Sequence, residues 1–79
     1  MRFYSGFING GSENGEETWR KLNDLLVIQI VEYADVFYVE LIFENDDCFE
    51  YKFETIDLAK NSVYEIFNYI MQREQGVRF

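Results

Sequence analysis

Apolar and polar residues alternate most regularly between Leu25 and Thr55. Phe37, Val39, Leu41 and Phe43 share one parity, with Tyr38, Glu40, Ile42 and Glu44 between them. Side chains two apart point to one side of a strand, so 36–44 is predicted as a strand with an apolar face. Phe49, Tyr51 and Phe53 alternate with Glu50, Lys52 and Glu54 and predict a second strand over 48–54. Asn45-Asp46-Asp47 has turn chemistry, because short polar side chains bond the local backbone and tolerate left-handed angles. A three-residue loop would pair Phe43 with Phe49, Leu41 with Tyr51 and Val39 with Phe53, and would set Glu40 opposite Lys52, an attractive cross-strand pair.

The preceding run, Leu26-Val27-Ile28-Gln29-Ile30-Val31, is rich in β-branched residues and predicts a strand over 26–32. A three-residue loop at 33–35 would place Val31 opposite Phe37 and Val27 opposite Leu41. Trp19, Leu22, Leu26, Ile30 and Tyr33 also fit a helical stripe, so a single helix over 16–33 competes; the β-branched run disfavours it.

At the far end, Ala59, Val63, Ile66, Phe67, Ile70 and Met71 repeat at helical spacing. They predict a helix over 58–75, capped by Asp57 and stopped by Gly76, whose stripe covers the sheet. Nearer the N-terminus, RFYSGFI reads as a strand over 2–8 and the glycine-rich 9–15 as a flexible loop. Residues 16–24 read as a short helix with Asn14 as cap and Trp19 and Leu22 on one side. The expected architecture is α+β in a single domain over 1–79: a small, mainly antiparallel sheet against one long C-terminal helix, with a short N-terminal helix. In the expected registers, Leu26, Ile28, Ile30, Tyr38 and Ile42 crowd the sheet's second face. That is too much apolar surface to leave wet, so the Trp19 helix or a second copy of the chain should cover it.

Composition narrows the chemistry. Among 79 residues, 48% hydrophobic, there is no histidine and one cysteine, Cys48, so histidine-based triads, intramolecular disulfides and multi-cysteine metal sites are absent. The glycines at 10, 11 and 15 lack the lysine of a phosphate-binding loop. Glu44-Asn45-Asp46-Asp47 lacks the spacing and central glycine of a calcium loop. Acidic neighbours should hold the Cys48 thiol protonated. The expectation is a cytoplasmic protein that is not an enzyme, with no cofactor, no metal and no membrane segment.

Charge is the remaining signal. The chain carries a net −8, and residues 32–57 hold nine acids against Lys52 alone. That balance disfavours direct nucleic-acid binding and favours a basic partner. The candidate partner-binding residues are Glu40, Glu44, Asp46, Asp47, Glu50 and Glu54. A short, acidic, histidine-free chain with its acids massed on ENDDCFEYKFE resembles the small phage-encoded inhibitors, namely anti-CRISPR proteins and DNA-mimic inhibitors. The resemblance implies an inhibitor in the host-cell cytoplasm that occupies the basic groove of a nucleic-acid-handling protein, such as a CRISPR effector or a DNA-binding enzyme. The other expectation is a non-catalytic structural or adaptor domain that homodimerises through Leu26, Ile28, Ile30, Tyr38 and Ile42.

Overall fold

The computed structural model describes residues 1–13 and 16–74. The described chain is α+β and contains two small antiparallel sheets and a C-terminal helix. β1 (Phe3–Tyr4), β2 (Phe7–Glu13) and β3 (Glu16–Lys21) form the first sheet in that order. A 3-10 turn over Leu22–Asp24 leads to β4 (Leu25–Tyr33), β5 (Val36–Phe43) and β6 (Cys48–Phe53), which form the second. α1 (Ile56–Glu74) follows. Among the described residues, no helix is long and apolar enough to cross a membrane.

The N-terminal third departs most from expectation. The predicted strand over 2–8 is split by a two-residue turn in which Ser5 (φ 48°) and Gly6 (φ 86°) are both left-handed, the conformation that closes tight hairpins. The predicted loop over 9–15 is largely β2, and the predicted helix over 16–24 is β3 followed by the 3-10 turn. Neither the short N-terminal helix nor the competing helix over 16–33 forms. Trp19 lies on β3 opposite Asn9, with the Arg2 guanidinium 5.8 Å from its ring centre. Gly10 has a packing role here. A β-carbon on Gly10 would lie 2.4 Å from the Phe49 ring, so the β2 backbone crosses that ring where no side chain fits. The proposed cap Asn14 and the stop Gly76 lie outside the described residues.

The second sheet has the predicted strands in different registers. Ala34 (φ 53°) and Asp35 (φ 63°) form a two-residue turn, so Tyr33 pairs with Val36, Ile30 with Val39 and Ile28 with Leu41. Against the three-residue loop expected at 33–35, this moves β4 by one residue and exchanges its faces. Ile28 and Ile30 therefore join the core, while Val27, Gln29, Val31 and Tyr33 point outward. Between β5 and β6 the slip is two residues. Phe37 pairs with Phe53, Val39 with Tyr51 and Leu41 with Phe49, so the faces are as expected but Glu40 meets Glu50, not Lys52, which lies opposite Tyr38. The longer loop is closed by the Phe43 N–H donating to the Asp47 C=O at 2.9 Å.

The core lies between the second sheet's inner face, α1 and the first sheet. Val39, Leu41, Phe43 and Phe49 meet Ala59, Ile66 and Tyr69 from the helix and Ile8 and Leu22 from the N-terminal segment, all buried. The helix's buried arc is rotated from the predicted stripe: Ser62 and Tyr69 are inside, while Phe67 and Met71 are exposed. The first sheet accounts for this, because Phe3 stacks on Tyr69 with ring centres 4.4 Å apart and the Tyr69 hydroxyl accepts the Gly6 N–H at 2.7 Å. Thr55, not Asp57, caps the helix; its hydroxyl accepts the Leu58 N–H at 3.2 Å.

Candidate protein-binding surface

The outer face of the second sheet is uncovered by α1. Down its middle, Gln29, Glu40 and Glu50 form one cross-strand row. The Gln29 amide donates to Glu40 Oε1 at 2.6 Å and holds that carboxylate in place. Glu40 and Glu50 are directly opposed, and neither joins an ion pair among the described residues. Like charges directly opposed on a sheet cost stability, by an amount within roughly 0.2–1 kcal/mol. Cys48 neighbours this row. Burial, then the charges of Glu40 and Glu50, push its thiol pKa up, so it is not an activated nucleophile.

The six predicted acids do not form one array. Glu44 and Asp46 are exposed in the β5–β6 loop, where Asp46 takes a left-handed φ of 63° and its N–H donates to the Phe43 C=O at 3.0 Å. Asp47 is engaged: its carboxylate accepts from Arg20 Nε at 2.7 Å. Glu54 follows β6 at its other end, about 20 Å along the strand from Cys48 at ~3.3 Å per residue. The acidic surface is thus the row of Glu40 and Glu50 with Glu44 and Asp46 at the tip, and the basic Arg20 sits beside it.

The expected apolar face divides in the same way. Tyr38 and Ile42 are on the outer face, Leu26 is 62% exposed at a bulge, and Ile28 and Ile30 belong to the core face. Val27, Val31, Tyr33 and Val36 occupy the outer face instead. Gln29 carried the signal for this, because a polar residue midway along an apolar strand marks the side that meets water.

Beneath the edge of this surface, the Tyr51 hydroxyl donates to the Asn9 C=O at 2.7 Å, and burial raises the Tyr51 pKa to about 12. A depression of about 560 Å³ lined by Met1, Arg2, Phe3, Tyr4, Trp19 and Tyr69 contains no carboxylate. Among the described residues, no three His, Cys, Asp or Glu side chains converge as metal ligands would. No protein-family model, curated protein or solved structure matches the chain.

Proposed function

We propose that this protein acts by binding: the outer face of β5 and β6, with the adjoining loop, occupies a basic nucleic-acid-binding surface on a target protein and inhibits it. The observation that carries the proposal is the Glu40–Glu50 pair. The fold gains nothing from two opposed carboxylates, one of them fixed by Gln29, and an arriving lysine or arginine relieves their repulsion. Glu44 and Asp46 extend the negative surface toward the tip, and exposed charges of this kind mainly accelerate association. The class of target is a nucleic-acid-handling protein of the cytoplasm, such as a CRISPR effector or a DNA-binding enzyme.

The test is capture from a bacterial lysate at low and high salt, with and without added DNA or RNA. Wild type should hold a basic protein at low salt, lose it at high salt and lose it to competing nucleic acid. Glu50→Lys should make the fold more stable, by turning repulsion with Glu40 into attraction, and should release the partner. Retention of the partner by that variant would rule the reading out.

A further inference from the structure

β4 pairs with β5 on one side, and among the described residues no strand lies against its other edge. Hairpin geometry fixes which groups face that edge. Across a two-residue turn, Tyr33 and Val36 are the closing hydrogen-bonded pair, and bonded and non-bonded pairs then alternate along the ladder. Val31, Gln29 and Val27 therefore bond to β5, whereas the N–H and C=O groups of Ile28, Ile30 and Glu32 point to the open edge. The loop contacts agree in parity, since the Glu44 N–H donates back to the Asp24 C=O while the Phe43 N–H turns to Asp47.

Exposed edges are ordinarily protected by lysine, proline or bulges. β4 has neither lysine nor proline, and its bulge lies before Val27, leaving the rest of the strand regular. That stretch, Val27-Ile28-Gln29-Ile30-Val31, reads identically in both directions. We propose that a second copy of this chain pairs antiparallel along β4, about a two-fold axis through Gln29, to make a continuous six-stranded sheet.

Self-complementarity favours a second copy over other occupants. In this register Ile28 meets Ile30 of the second copy, and both present outward-facing backbone groups, so the hydrogen bonds match. Val27 meets Val31 on the outer face, where they are now 41% and 38% exposed. The strand's one acid, Glu32, would lie about 20 Å from its counterpart, six residues at ~3.4 Å each, well beyond the ~8 Å screening length at physiological salt. Within β4 itself, therefore, no acid faces another across this edge. The assembly also closes, because the sheet's other edge, β6, carries Glu50 and Lys52 and is guarded against pairing. The edge adjoins the Glu40–Glu50 pair at Gln29, but it would pair through backbone groups whereas that reading rests on the carboxylates, so a Glu50→Lys variant should still dimerise.

Sedimentation equilibrium of the intact chain should give twice the 9.5 kDa monomer mass, unchanged at high salt. Register is tested in a Cys48→Ser background. Gln29→Cys should form a disulfide-linked dimer on oxidation, because residues facing across a non-bonded antiparallel pair lie about 4.5 Å apart at Cα, within disulfide range. Val31→Cys should stay unlinked, its two copies being four residues apart, about 13 Å. A monomer at the highest soluble concentration, an open-ended polymer, or cross-linking at Val31 as readily as at Gln29 would overturn the proposal.

Discussion

β4 and β6 flank the same central strand and differ in almost everything else. β4 joins β5 through a tight two-residue turn, carries a single acid and ends the sheet with an unguarded edge. β6 joins through a longer loop, alternates charge with aromatic residues and, with that loop, is fastened to the first sheet three times: Arg20 to the loop's Asp47, Asn9 to Tyr51, and Gly10 over the Phe49 ring. Placement within the fold, more than hydrophobicity, separates the two. β6 takes its aromatic side chains into contacts within the chain and turns its charge outward, whereas β4 leaves Val27 and Val31 part-exposed and, among the described residues, has no strand along one edge.

The contrast breaks most sharply at Ile28. Its side chain packs against the core although its backbone faces the open edge, so Ile28→Glu should cost roughly 3 kcal/mol or more as an unpaired charge in the core. Val27→Glu, one residue away but on the open face, should change monomer stability by no more than about 0.5 kcal/mol; urea unfolding of both variants measures the difference. On the β6 side, Gly10→Ala should cost about 1–3 kcal/mol, because the added carbon overlaps the Phe49 ring. The expected sign is the same by heat or urea. Smaller still, Glu50→Lys should stabilise by about 0.2–1 kcal/mol, and Glu40→Lys combined with it should remove the gain, since like charges then face each other again.

A pH dependence sharpens the comparison from the β6 side. The Tyr51 pKa is raised in the folded chain, so the unfolded chain loses this proton first as pH rises. The contribution is complete below about pH 10, the ordinary tyrosine value, and is lost as pH climbs through about 12. Tyr51→Phe should flatten that part of the stability curve; a curve of unchanged slope would show that the phenol is not the group responsible.

The second sheet's strands and the helix were legible in the sequence because alternation and helical spacing survive small errors at element ends. Registers were not. A two-residue slip preserves side-chain parity, so the Phe37–Phe43 pattern fits either pairing with β6, and one weak Glu40–Lys52 attraction could not outweigh the packing of Leu41 on Phe49. The β4 slip turned on Ala34, whose left-handed φ is costly for alanine and left no mark in the sequence. The first sheet was not legible, because the glycine-rich 9–15 has the composition of a loop, whereas Gly10 makes room for an aromatic ring contributed 39 residues later. At the candidate surface, the acids were visible individually. Their separation into a paired row, a free tip, an engaged Asp47 and a distant Glu54 depended on those same registers.

The contact between Tyr69 and the Ser5–Gly6 turn has a consequence for how the chain is made. Its hydrogen bond spans 63 residues, and Phe3 stacks on the same ring. β2 can dock on β6 as soon as β6 is made, through Asn9 and Gly10, but the Ser5–Gly6 turn and Phe3 lack their partner until α1 has been synthesised almost to its end. Synthesis at about 5–20 residues per second imposes a wait of several seconds. Throughout it the Ser5–Gly6 turn lacks this anchor, and its closure on Tyr69 is a late event. Non-local closure of this kind is slow, and shortening the nascent chain to end before Tyr69 should leave β1 and the Ser5–Gly6 turn open to protease.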